Sequence, residues 1–181
     1  MSSWLLFAAI VTAALSGLPA LSPTVQSGAW RRITCGMQLL AAVLGGAAAI
    51  AVLGDGPDAA VRLPLSPLLP AVTLGLDALS AVFLLPVCFL CGAASVFDLG
   101  YWPAASGHGA RARSFLGLLF ASLMALLAAQ DSIAFLVAWE LMALSAFFLV
   151  TTEHHQREVR TAGWIYLAAT HAGTLCLIAF F

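Results

Sequence analysis

Six apolar runs, each close to the length of a membrane-crossing helix, dominate the chain: about 2–21, 33–53, 77–96, 114–129, 132–151 and 161–181. A hydrocarbon core of about 30 Å takes roughly 20 residues of helix. The runs therefore predict an all-α, polytopic transmembrane bundle of about six helices. Composition agrees: 62% of the 181 residues are hydrophobic and only 8% charged, with a mean hydropathy of +1.03. Soluble domains carry about 25% charged residues, so this chain cannot cover itself in water. The net charge of −1 says nothing about nucleic acid, and with no basic run to suggest a phosphate-backbone partner, none is expected.

The first run is read as a helix of the bundle rather than a signal peptide, because MSSW places no basic residue ahead of a long apolar stretch. AAQDS, between the fourth and fifth runs, is a tight turn that predicts an antiparallel hairpin. The longest connection, GDGPDAAVRLPLSPLLPAVTLGL, holds Pro57, Pro64, Pro67 and Pro70, which forbid a continuous helix and predict extended chain on the external face. Ala41, Gly45 and Ala49 recur every four residues in the second run, a spacing that lets two backbones approach closely in lipid. Pro86 is expected to kink the third helix.

All seven basic residues are arginines. Arg31 and Arg32 fall in the 1–2 connection, Arg111 and Arg113 in the 3–4 connection, and Arg157 and Arg160 in the 5–6 connection; Arg62 alone falls in the 2–3 connection. Basic residues stay on the cytoplasmic side, so the expected topology has the N-terminus outside and these three arginine-bearing connections inside.

Within AFLVAWELMALSAFFLV stands one carboxylate, Glu140. A charge at the bilayer centre costs about 2.5–3.5 kcal/mol on insertion scales, and intramembrane ionisable residues by default mark ion or proton pathways. Either Glu140 takes up and releases a proton, or it sits protonated and holds two helices together with a hydrogen bond. His171, in GWIYLAATHAGTLCLIAFF, lies at matching depth: Glu140 is eleven residues before Thr151 and His171 ten after Thr161, so both lie about 15–16 Å in. It is either a partner in a shared polar pathway or a neutral imidazole bonded to a backbone carbonyl, to Thr170 or to Thr174.

The remaining polar residues read more plainly. Asp77 and Asp131 stand at helix starts, as N-caps do, and Asp55, Asp58, Glu153 and Glu158 fall in solvated connections. Cys88 and Cys91 form a C-x-x-C without a second pair, which with Cys35 and Cys176 reads as apolar packing. The adjacent histidines of EHHQRE do not converge on a metal, and no cysteine pattern suits an iron–sulfur centre. No cofactor or metal is expected, and any redox chemistry would belong to other subunits.

FLVAWELMALSAFFLVTTEH followed by YLAATHAGTLCLIAFF resembles the antiporter-like, proton-translocating membrane subunits of respiratory complex I and related hydrogenases, on the branch of hydrogenase-4 and formate hydrogenlyase. The Trp139–Glu140 pair, Ser145 five residues later, the histidine–glycine of the next helix and DALSAVF carry the likeness. It implies that Glu140 and His171 belong to a proton pathway, supported by Trp139 and Ser145. It also implies membrane and peripheral partner subunits of a redox complex in a bacterial plasma membrane. The family's lysine on a later helix has no counterpart in this lysine-free chain, which is expected to be an N-terminal portion, truncated or split from the rest. Two alternatives stand beside a proton-conducting, non-redox subunit of a membrane oxidoreductase: a subunit of a multi-subunit sodium/proton antiporter, and a structural scaffold.

Overall fold

The computed structural model describes residues 2–17, 28–63, 71–101 and 107–181. Its elements follow in the order α1 (Ser2–Ser16), α2 (Gly28–Asp55), β1 (Val61–Leu63), β2 (Val72–Leu74), α3 (Ala78–Tyr101), α4 (Gly107–Ala128), α5 (Ser132–Val150) and α6 (Arg157–Phe180), with a 3-10 turn, Thr151–Glu153, extending α5. Helices α2 to α6 are long and apolar enough to cross a membrane; α1 is apolar with 15 residues in its described helix. Residues 18–21, expected to complete the first helix, lie outside the described residues. The molecule is an all-α, multi-pass membrane bundle.

Helices α1 to α4 form a ring, α1 packing on α2 and α4, and α3 on the same two. The ring closes tightly because its inward positions are small. Ala9, Ala13, Ala41, Ala48, Ala49, Ala81, Ala121 and Ala128 are buried, with Leu6, Leu84, Phe120 and Met124 filling the space between them. Gly45 marks a point of close approach: a Cβ there would sit 2.8 Å from Cys88 Sγ and 3.1 Å from Met124 Sδ, with Ala9 Cβ at 3.9 Å. Elements from α1, α3 and α4 thus converge on one glycine of α2, whose four-residue spacing with Ala41 and Ala49 is the close-approach stripe read from the sequence. Cys88 and Cys91 are buried in this cluster as free thiols. Pro86 lies inside α3, which continues through it as helix. Outward positions are large and apolar, Phe89 being 75% exposed, as lipid contact requires.

Helices α2, α4 and α6 begin five, seven and four residues before the apolar runs do. Arg31, Arg32, Arg111, Arg113, Arg157 and Arg160 therefore stand on helices rather than in connections. Arginine stems cover apolar surface while their heads reach polar surroundings, so a helix can continue past the point where its hydropathy falls. For the same reason α3 extends to Tyr101 and carries Asp98 in its last turns.

The long 2–3 connection folds as a short antiparallel hairpin, Val61 opposite Leu74 and Leu63 opposite Val72; Pro64, Pro67 and Pro70 lie outside the described residues. The hairpin docks on the α4–α5 turn. The Gly75 N–H donates to the Ala128 carbonyl at 2.8 Å, the Gln130 N–H to the Thr73 carbonyl at 3.0 Å, and the Thr73 N–H to Asp131 Oδ2 at 2.6 Å. At the same end Asp58 accepts from the Ser2 N–H and hydroxyl, tying the start of α1 to the end of α2. Asp77 caps α3 by accepting the Ser80 N–H at 2.7 Å, a bond that holds its carboxyl below the usual carboxylate range. The EHHQRE turn is held by Arg160, whose guanidinium donates to the His154 and His155 carbonyls at 2.9 Å each.

The opposite end of the ring holds a buried polar layer. Arg113 donates to Asp98 Oδ2 at 3.1 Å, the two side chains being 7% and 10% exposed. Gln38 Nε2 donates to the Arg113 carbonyl at 3.1 Å, Ser114 Oγ to the Gly17 carbonyl at 2.8 Å, and Arg31 to the Leu99 carbonyl. Breaking such a pair from one side strands a buried charge, at a cost of about 3–5 kcal/mol, whereas replacing both partners by apolar groups of similar volume is often neutral. Asp98→Ala should therefore destabilise the detergent-solubilised chain by about 3–5 kcal/mol. Asp98→Leu combined with Arg113→Met should recover most of that loss in thermal unfolding. Equal damage from the single and double substitutions would refute a paired-charge origin.

Candidate functional site

Helix α5 is fixed at its start by Asp131, which caps it through the Ala134 N–H at 2.7 Å while its other oxygen holds the hairpin. Its buried residues, Ala134, Ala138, Ala143 and Ser145, are small, which allows close packing on α4, where Phe115 and Phe148 stack with centroids 4.5 Å apart. At about 100° per residue, Glu140 lies some 140° around the helix from Ser145 and so turns away from the stripe of Ala134, Ala138 and Ser145, with buried Ala143 about 60° from it.

Helix α6 packs on α5. Gly163 brings the two backbones together near the arginine-bearing end: a Cβ there would collide with Thr151 Cγ2 and lie 3.3 Å from Phe147. With this crossing fixed, Glu140 lies thirteen residues before the last residue of the 3-10 turn, and His171 fourteen after the start of α6. The matching depths read from the sequence persist although α6 begins earlier than expected, because the 3-10 turn lengthens α5 as well.

The two side chains meet. His171 Nε2 stands 3.8 Å from Glu140 Oε2, with the histidine 51% and the glutamate 32% exposed. Toward its own helix, His171 Nδ1 lies 3.0 Å from the Leu167 carbonyl. A carbonyl can only accept, so Nδ1 carries a proton in this arrangement, and Nε2 is the nitrogen left to exchange one with Glu140. The facing atoms can then hold one proton between them in two ways: as a carboxylic acid facing a neutral Nε2, or as a carboxylate facing an imidazolium. The second carboxyl oxygen, Glu140 Oε1, is buried with no hydrogen-bond partner among the described residues. The pair thus has a free acceptor on the glutamate side and a titratable nitrogen on the histidine side, which is the chemical minimum for passing a proton along.

The other two residues singled out by the sequence stand apart from this pair. Ser145 is fully buried and its hydroxyl donates to the Leu141 carbonyl of its own helix. The Trp139 ring lies over Phe135 at 6.0 Å, and its buried indole N–H has no partner among the described residues. Thr170 and Thr174 donate to carbonyls of their own helix, so of the alternatives weighed for His171 the backbone carbonyl is the one realised, together with Glu140. Asp98 escaped the sequence reading because it falls just past the third apolar run; the available signal was an acid two residues beyond that run, with Arg113 directly preceding the next.

Nitrogen-15 resonances of labelled histidine in membranes, assigned by loss of one signal in His171→Gln, test the tautomer. In the neutral ring Nδ1 of His171 should carry the proton and Nε2 should be bare. A neutral form protonated at Nε2 would break the proposed exchange.

No protein-family model matches the chain. In sequence it is 36% identical over 111 residues to hydrogenase-4 component B of Escherichia coli, covering 60% of this chain and 16% of that protein. An uncharacterised protein of Mycobacterium tuberculosis is 32% identical over 117 residues, 64% of this chain and 17% of its own length. In fold, the Mrp complex from Dietzia sp. DQ12-45-1b contains a chain that matches 98% of this one with a TM-score of 0.73 and 27% identity, of which it represents 18%. The chain therefore spans about a sixth of the length of the curated relatives it matches. The chain is thus similar in sequence to a hydrogenase-4 component and in fold to a chain of an Mrp complex.

Proposed function

We propose that the chain is the N-terminal part of a proton-translocating membrane subunit in a hydrogenase-4-like or complex I-like redox assembly, and that Glu140 and His171 handle the proton. The observation that carries this reading is the approach of Glu140 Oε2 to His171 Nε2, 3.8 Å apart between two membrane-crossing helices. The likeness to hydrogenase-4 component B supports the choice of assembly. Trp139 and Ser145 act in support, the first beside the glutamate in sequence and the second by packing the opposite face of α5. Redox centres lie in partner subunits, both membrane and peripheral. A second reading, a subunit of a multi-subunit sodium/proton antiporter, draws on the fold likeness to the Mrp complex; dependence of transport on sodium rather than on redox turnover would favour it.

Glu140→Gln keeps shape and hydrogen bonding but cannot titrate. In vesicles holding the whole complex it should leave assembly intact and reduce proton translocation, while Glu140→Asp should lose less. His171→Ala should also slow translocation. The double substitution should cost little more than the worse single one, since groups acting as a unit do not add. Unchanged pumping in Glu140→Gln would leave the pair a packing contact and the chain a scaffold.

The orientation that goes with this function places the arginine-bearing end in the cytoplasm of a bacterial plasma membrane and the start of α1 outside. Six arginines stand on helices at that end, and Arg62 on the hairpin at the other. In intact cells, with the four native cysteines replaced, a cysteine at exposed Ala71 should react with an impermeant thiol reagent. Cysteines at exposed Ala29 and Gln156 should not. The reverse labelling pattern would invert the topology.

A further inference from the structure

Arg111 and Arg113 stand two residues apart on α4 and point different ways. Arg113 turns inward to Asp98. Arg111 is exposed, makes no hydrogen bond or ion pair with any described residue, and lines a cavity of about 240 Å³ between α4 and the end of α5. The other lining residues are Phe115, Phe148, Thr151, Thr152 and His154. No carboxylate is among them. Glu153, next in the chain, accepts a hydrogen bond from Gln156 at 2.7 Å instead. The hydroxyls of Thr151 and Thr152 donate to α5 carbonyls at 2.8 and 2.7 Å, which leaves the guanidinium, with the imidazole, as the recognition groups of the site.

The wall of the cavity is apolar in a specific way. Phe115 and Phe148 stack nearly parallel, 16° apart, and Phe148 is 44% exposed on a membrane-crossing helix. One side of the cavity is therefore continuous with the lipid-facing surface of α5, while the other carries an unpaired cation. A free anion would satisfy the arginine and leave the aromatic wall uncovered; a hydrocarbon chain would cover the wall and leave the arginine unpaired. A transmembrane helix is too large for the volume.

We infer that this cavity binds the phosphate of an anionic phospholipid, with Arg111 as the phosphate ligand, His154 beside it, and the start of the acyl region against the Phe115–Phe148 pair. Arginine meets phosphate with two parallel N–H donors, so its geometry as well as its charge contributes, and basic pockets between membrane helices at the cytoplasmic face are suited to lipid headgroups.

The test uses the full chain, delipidated in detergent and titrated with phosphatidylglycerol or phosphatidylcholine of the same acyl composition, followed by thermal unfolding. Phosphatidylglycerol should raise the melting temperature at lower concentration than phosphatidylcholine. Arg111→Gln should weaken that response about tenfold, the loss expected for a hydrogen bond to a charged group. Arg111→Lys should fall between, and Arg32→Gln, which removes an exposed charge at the same end but outside the cavity, should respond as the unsubstituted chain does. Native mass spectrometry of retained lipid gives the same comparison independently of unfolding. Equal weakening in Arg32→Gln and Arg111→Gln would mean diffuse attraction and overturn the site. So would protection by millimolar inorganic phosphate alone, which would make it a free-phosphate site, or the absence of any preference for the anionic lipid.

Discussion

Everything in this bundle depends on how closely four helices can approach around Gly45. Lipid tails are as apolar as the side chains they contact, so burial of hydrophobic surface supplies little drive for helices to associate inside a membrane; close packing must do it. The alanines of α1 to α4, with Gly45 of α2 and Gly117 of α4, let backbones come near enough for dispersion contacts along their length, and Leu6, Leu84, Phe120 and Met124 fill the gaps. A polar layer closes the ring at the end that carries Arg31 and Arg113. Hydrogen bonds from Gln38, Ser114 and Arg31 to backbone carbonyls of neighbouring segments set how α1, α2, α3 and α4 meet there. Small residues determine the distance between helices, and the polar layer determines their register.

Helices α5 and α6 stand outside that ring, and their chemistry follows from it. Helix α5 packs on α4, and Ala134, Ala138 and Ser145 form one buried stripe along it. Only Gly163 and Thr174 of α6 are buried. The Glu140–His171 pair sits on this lightly packed side, where a side chain can change partner without unpacking a core. The same carboxylate placed toward Gly45 would meet small apolar residues in tight contact, with no room for a counter-group.

Much of this was legible in the amino-acid pattern, and the misses share one cause. The apolar runs located the six α-helices of the described residues, the four-residue spacing of Ala41, Gly45 and Ala49 located the close approach, and depth counting placed Glu140 and His171 at one level without fixing which way they face. Hydropathy, however, falls before helices end. The segments around Arg31, Arg111, Asp98 and Arg157 are helical although they contain charges, because arginine stems and interhelical pairs accommodate those charges near the membrane boundary. Ending α3 at Val96 hid Asp98, and with it the ion pair that locks the end of the ring. The β-hairpin was hidden for another reason: its pairing depends on Asp131 and Gln130, which come more than fifty residues later, and no local pattern announces so distant a contact.

Two ion pairs in one small bundle differ in a way that assigns them different work. Asp98 and Arg113 are 3.1 Å apart and nearly enclosed, and arginine stays charged at any physiological pH. Nothing in that pair changes protonation without stranding a buried guanidinium, so it is suited to fixing helices. Glu140 and His171 are 3.8 Å apart and partly open, and each can be neutral or charged. Nδ1 of His171 is already committed to the Leu167 carbonyl, which leaves Nε2 to face the carboxyl group. Exchanging the partners would spoil both pairs: a histidine at the polar layer would let pH loosen the ring, and an arginine at position 171 would hold the Glu140 charge permanently and leave no proton to pass. The division between a permanent cation where rigidity is needed and a titratable one where a proton can move is the physical basis of the proposal that transport runs on α5 and α6, with α1 to α4 as its support.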